Sequence, residues 1–234
     1  MSPFTLFRSA VCAGFAIGLG GAVYLQQTSK ALGALLFTIG LFAVCECRFH
    51  LFTGKVCYAR ERSWRSYWEY PVILGGNFIG AGLMALLLSG TRLFSFTQKA
   101  AAVLIAVKNA DSLGSLFILG FLCNIFVFLA VEGYRSFPHA IGKYAAIFLG
   151  IAVFILSGYE HSIADMFYYF TAGAMDLAAL GRILVIALGN TCGGLISMKP
   201  SNLPAEHKNK NPGIKKRCLR HRFFIPALSG LSYN

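Results

Sequence analysis

The sequence predicts an all-α membrane protein of six transmembrane helices in two inverted three-helix repeats, with spans two and five broken. Three observations carry this expectation. The 234 residues are 56% hydrophobic and only 13% charged, whereas soluble domains run near a quarter charged. Six stretches poor in charge follow one another, and a bilayer-spanning helix needs roughly 20 apolar residues. Two of the six are interrupted, and they hold the same ordinal place in each half of the chain. Residues 1–198 are therefore read as a transmembrane domain, with repeats at about 9–92 and 108–198, and residues 199–234 as a basic tail.

Span one is the run of 21 uncharged residues between Arg8 and Lys30. It is too long for a signal-peptide core and lacks a small-residue cleavage site. Span two begins with only 15 apolar residues, 31–45; Glu46, Arg48 and His50 then intrude, and apolar character resumes at Leu51 and Phe52 before Thr53-Gly54. Span three is the 22 residues between Glu69 and Arg92, and span four the 20 between Asp111 and Glu132. Span five repeats the interruption: residues 144–159 give 16 apolar positions, Glu160 and His161 follow, and residues 162–170 are apolar again except for Asp165. Span six, residues 183–198, is short only because Arg182 stands near its start.

Broken helices at matching positions mark structural repeats that meet near the bilayer midplane, and an odd number of spans per half requires opposite topologies. A sequence echo agrees. Gly76-Asn77-Phe78-Ile79-Gly80 in span three is answered by Gly189-Asn190-Thr191-Cys192-Gly193 in span six. Glycines four apart, including Gly14 and Gly18, also let membrane helices approach closely. Basic residues place both termini on the cytoplasmic side: Arg60, Arg62 and Arg65 follow span two, Arg135 and Lys143 flank the loop after span four, and the tail is basic.

The net charge of +12 does not indicate nucleic acid, because eight of the 21 basic residues lie between Lys199 and Arg222. Such a tail is a solvated cytoplasmic segment or a contact for anionic lipid headgroups. The seven cysteines are scattered through apolar segments without disulfide or zinc spacing. Cys45 and Cys47, with His50 and Cys57 nearby, are the one place where a metal could be imagined; free thiols are the better reading, and no cofactor is expected.

A backbone that leaves helical geometry inside a bilayer must be buried in protein or line a watery cavity. The breaks therefore mark a pathway, and the half-helices starting near Thr53 and Ser162 turn unpaired N–H groups toward it. Lys108 and Lys143 stand at the approaches to spans four and five, where they make electropositive mouths that attract anions. His161, at the second break, is either a functional ionisable group or a neutral histidine satisfied by Glu160 or a neighbouring helix. Glu160 reads as a supporting hydrogen-bond partner. Phe37, Leu41 and Phe154 read, on spacing alone, as packing or lipid-facing residues.

Leu51-Phe52-Thr53-Gly54, the two Gly-Asn motifs, Cys123-Asn124 and the run from Tyr159-Glu160-His161-Ser162 to Phe167 resemble the formate/nitrite transporter family, over residues 9 to about 198. The separations match too, with 16 residues from Lys108 to Asn124 and 18 from Lys143 to His161. The resemblance implies an aquaporin-like fold and a homopentamer, each protomer with its own pore for small monovalent anions such as formate, nitrite or hydrosulfide, in a bacterial inner (plasma) membrane. It implies that His161 is the pore-centre histidine, that Thr53, Asn124 and Lys108 lie beside it, and that Phe37, Leu41, Leu51 and Phe154 form apolar constrictions. Lys108 is then buried near the histidine rather than at a mouth, while Lys143 remains in a vestibule.

Three positions depart from the family pattern: His50 stands for an acid, Lys55 for an asparagine and Asp165 for an asparagine. The first two add positive character, and a lysine after Thr-Gly resembles the hydrosulfide branch. An aquaporin-like channel for neutral solutes is the alternative, but paired Asn-Pro-Ala boxes are missing; the one Asn-Pro, Asn211-Pro212, lies in the tail. An intramembrane enzyme lacks any second convergent motif.

Overall fold

In the computed structural model, which describes residues 2–197, every regular element is helical. Helix α1 (Pro3–Leu25) starts where the Ser2 hydroxyl accepts from the Thr5 N–H at 3.2 Å and Pro3 occupies the first turn, the position that needs no backbone donor. Two short helices follow, α2 (Lys30–Phe37) and α3 (Ile39–Glu46), divided at Thr38, whose hydroxyl donates back to the Leu35 carbonyl at 2.6 Å. After Arg48, held at φ 56°, an extended stretch leads into the five-residue α4 (Phe52–Val56). Two 3₁₀ turns carry the chain to α5 (Glu69–Ser89).

A helix that the charge pattern did not foretell, α6 (Phe94–Ala110), joins the halves. The second half then repeats the order of the first: α7 (Leu113–Ser136), α8 (Ala140–Leu156), an extended stretch after Gly158 at φ 72°, α9 (Ser162–Ala172) and α10 (Leu177–Ile196). The chain thus leaves helical geometry between α3 and α4 and again between α8 and α9, in the two segments where charges interrupt the apolar runs. Span six begins at Leu177 rather than residue 183, because Arg182 is accommodated inside the helix. Its guanidinium caps the end of α6 by donating to the Asn109 and Asp111 carbonyls at 2.9 and 3.0 Å.

Among the described residues, four segments are long and apolar enough to cross a membrane unaided: Pro3–Leu25, Trp64–Ser89, Leu113–Ser136 and Leu177–Ile196. α8 is apolar but shorter, and the broken pieces of span two fall below that length. The Gly-Asn motifs sit at two equivalent packing seams. α5 lies on α1 so closely that a Cβ on Gly80 would run into the Val11 carbonyl. In the other half α10 lies on α7, and a Cβ on Gly193 would meet the Phe121 carbonyl. Polarity is distributed inside out. Leu86, Val103, Leu149 and Leu188 are more than half exposed, while Thr53, Asn77, Asn124, Asp165 and Asn190 are buried, the pattern of a chain whose solvent is lipid. The expected tail, residues 199–234, lies outside the described residues.

Candidate functional site

The two breaks are held by one device used twice. Asn77 of α5 accepts the Phe52 N–H at 2.8 Å through Oδ1, while Nδ2 donates to the carbonyls of Ala10 at 2.7 Å and His50 at 3.0 Å. Asn190 of α10 accepts the Ser162 N–H at 3.0 Å and donates to the carbonyls of Gly120 at 2.7 Å and Glu160 at 2.9 Å. Each amide satisfies the first turn of a half-helix, the carbonyl preceding the break and a carbonyl of the neighbouring long helix. Buried backbone groups without such partners cost about 1–3 kcal/mol apiece. The sequence echo hinted at these asparagines, but read alone it suggested helix packing first.

The same device places the first break in register with the second. Phe52 corresponds to Ser162, so His50 corresponds to Glu160, Leu51 to His161 and Lys55 to Asp165. The asparagines also take up N–H groups that the sequence reading left free for an anion, and a third, that of Ala164, donates to His161 Nδ1 at 3.2 Å.

That last bond fixes the chemistry of the ring. A ring nitrogen that accepts a backbone N–H carries no proton, so His161 is the neutral tautomer protonated at Nε2. Nε2 therefore donates to Thr53 Oγ1, 2.9 Å away across the two breaks, and leaves the Thr53 hydroxyl hydrogen available. The Thr53 carbonyl accepts from Asn124 Nδ2 at 3.1 Å and from the Cys57 thiol at 3.2 Å. Asn124 Oδ1 is buried without a partner. Phe154 stacks on the imidazole with centroids 5.8 Å apart and planes 18° from parallel.

Cavities open on either side of this contact. One of about 280 Å³ is lined by Phe37, Lys108, Phe154, Glu160, His161 and Asp165. The other, of about 740 Å³, is lined by Leu41, Leu51, Lys55, Arg62, Arg135 and Lys143 among others. The four apolar residues suggested by family resemblance thus divide two and two, each about 2% exposed. Thr53, Asn124 and His161 are brought together, whereas Lys143 belongs to the larger cavity. Lys108 is not at a mouth. Its ammonium hydrogen-bonds Glu160 and lies 2.9 Å from Asp165 Oδ1. Sequence reasoning gave Asp165 no role, because Lys108 is distant from it in the chain and the pairing exists only once α6 lies against α9.

His50 is tied to the Ser9 hydroxyl through Nδ1 at 2.8 Å and lines neither of the two cavities. Among the described residues no group of three or more His, Cys, Asp or Glu side chains is placed to hold a metal ion.

The sequence model of the formate/nitrite transporter family matches residues 1–200. The nitrite transporter NirC of Salmonella typhimurium is 30% identical over 240 aligned positions, covering 92% of this chain and 88% of that protein. The formate channel FocA of Escherichia coli is 32% identical over 188, covering 70% and 65%. The formate channel FocB of Escherichia coli is 29% identical, covering 71% and 66%. The chain thus spans just under two thirds of the length of those two formate channels. Among solved structures, a pentameric formate channel with formate bound superposes with a TM-score of 0.72 at 25% identity, over 83% of this chain and 93% of that one. An ion channel of the same family gives 0.73 at 29% identity, over 83% and 87%. With two asparagine-clamped breaks facing each other across a threonine–histidine contact, and a family match running through both, the chain is an integral membrane protein of the formate/nitrite transporter family, a transport protein and not an enzyme.

Proposed function

We propose that this protein passes small monovalent anions of weak acids, formate, nitrite or hydrosulfide, along a path from one cavity to the other past Thr53 and His161. The observation that carries this reading is the neutral imidazole bridging the two breaks, with Lys55, Arg62, Arg135 and Lys143 lining the larger cavity and Lys30 and the carboxylate-paired Lys108 lining the smaller. Lys55, Arg62, Arg135 and Lys143 raise the local anion concentration in the larger cavity. Phe37 and Phe154 on one side, Leu41 and Leu51 on the other, strip the hydration shell; a bare charge is costly in such surroundings. The Thr53 hydroxyl, the Asn124 amide and the Nε2–H supply hydrogen-bonding groups where the shell is lost; a proton taken from solution at Nδ1, once that nitrogen releases the Ala164 N–H, replaces the one passed from Nε2 to the anion, so that a weak acid crosses as its neutral form.

In this reading the chain crosses the bilayer six times as two inverted halves, in the aquaporin-like arrangement, with spans two and five entering as half-helices. Both termini face the cytoplasm at a bacterial inner membrane. Five copies assemble, each with its own path; support for that number comes from the similarity to a pentameric formate channel. The cations favour anions over the neutral solutes of an aquaporin. The test is a panel of formate, nitrite, hydrosulfide and glycerol in proteoliposomes at two pH values. Uptake of one or more of the anions, faster at the acidic pH and without glycerol uptake, is expected; glycerol flux with no anion flux overturns the reading.

A further inference from the structure

The smaller cavity holds one ammonium between two carboxylates. Lys108 hydrogen-bonds Glu160 and lies 2.9 Å from Asp165 Oδ1, and Lys108, Glu160 and Asp165 side chains are only 11%, 7% and 2% exposed. The ammonium answers one carboxylate. A second ionised one would give the cluster a net negative charge, in surroundings of low dielectric and on the very wall an anion must pass. Two carboxylates that share a buried site do not both ionise readily.

A second observation points the same way. Asp165 Oδ2 is buried, has no hydrogen-bond partner and belongs to a residue lining the cavity. As a carboxylate oxygen it would be a buried acceptor with no donor to answer it. Protonated, it carries no charge to repel an anion in the adjoining cavity. The register set by Asn77 and Asn190 sharpens the contrast, since the first break carries His50 and Lys55 at the positions where the second carries Glu160 and Asp165.

The other groups facing Asp165 do not supply the missing positive charge. Lys30 at the start of α2 lines the same cavity but is exposed to its surroundings, and it forms no ion pair with Asp165, whose cation is Lys108. Tyr24 of α1, Tyr168 and Tyr169 of α9 and Cys123 of α7 are neutral side chains near the cluster. His161, one turn earlier, is neutral by its hydrogen bonds. Arg182 of α10 is engaged with carbonyls at the end of α6. In α5 the titratable side chains are Glu69, paired with Arg62, and Tyr70, both in its first turn, and Lys55 of α4 lines the other cavity.

We infer that the Lys108–Glu160–Asp165 cluster retains one proton, held on Asp165, and that this proton decides whether an anion enters the cavity beside His161. The inference rests on the transport reading above. Its consequence is a decline of anion passage at alkaline pH that belongs to the protein, over and above the dwindling fraction of weak acid in solution.

The experiment has two readouts on the full-length protein. Infrared difference spectroscopy in H₂O and D₂O looks for a protonated carboxyl that Asp165→Asn removes. Formate flux in proteoliposomes then compares Asp165→Asn with wild type between about pH 6 and about pH 9, as a ratio in which the solution chemistry of formate cancels. The carboxyl band is expected in wild type and absent from the variant. The flux ratio should rise by roughly tenfold across that range, the scale of one added charge on the cavity wall at intermediate dielectric. No such band in wild type, a band that survives in Asp165→Asn and disappears in Glu160→Gln, or a ratio that stays flat overturns the inference. If wild-type protein passes no anion at any pH, the transport reading fails, while the infrared band still decides where the proton resides.

Discussion

At the scale of single residues, the Thr53–His161 contact and the Lys108 cluster do different work. The first is a neutral hydrogen bond whose loss removes one partner at the path; such bonds contribute about 0.5–1.5 kcal/mol each. The second holds an ammonium against Glu160 and Asp165 on the wall of the smaller cavity. Removing Lys108 also leaves Glu160 and Asp165 facing each other without their cation, and breaking a buried pair costs about 3–5 kcal/mol. Lys108→Ala should therefore slow formate passage by roughly tenfold or more, and Thr53→Val by less, when both are read as initial flux per properly folded protein. Equal effects, or a larger one at Thr53, would show that the local field is not what the lysine provides.

At the scale of elements, the half-helices exist because two asparagines do for a broken backbone what a continuous helix would do for itself. Asn190→Leu leaves the Ser162 N–H and the Gly120 and Glu160 carbonyls without that partner, and Asn77→Leu does the same to Phe52, Ala10 and His50. At about 1–3 kcal/mol for each unsatisfied buried group, both substitutions should lower the thermal unfolding temperature in detergent well below that of Thr191→Val, which removes one hydroxyl bond on the same helix as Asn190. A stability like that of Thr191→Val would mean the clamps are dispensable.

The breaks were legible in the chain because charges interrupt apolar runs only where protein or water can receive them. Helix α6 was not, since Gln98, Lys99, Lys108 and Asn109 give it the look of a polar connection. The Lys108–Glu160 pair, separated by 52 positions, and the role of Asp165 depend on how α6 meets α9, for which no local pattern stands proxy.

At the scale of the whole molecule, the greasy exterior and polar centre follow from composition. Exposed leucines and valines around buried asparagine, histidine and aspartate are stable only with lipid, or other copies of the chain, outside. Light scattering in detergent should give the mass of five copies, and a monomer mass would contradict the assembly proposed above. Deleting the residues after Asn202 should leave formate flux intact, because the matched repeats end before them; loss of flux with normal assembly would assign the basic segment a part in gating. The family and the order of the elements were readable from a few motifs in register. Which wall of the path carries which charge was not, because that depends on partners brought together from both halves.

A neutral imidazole standing between two cavities is the centre of the proposed path. Formate flux into proteoliposomes carrying His161→Phe tests it most directly, since the substitution keeps an aromatic ring against Phe154 while removing both the acceptor for the Ala164 N–H and the donor to Thr53. The expected result is flux reduced to that of protein-free vesicles, with the assembly intact. Flux equal to wild type would contradict the central place given to His161.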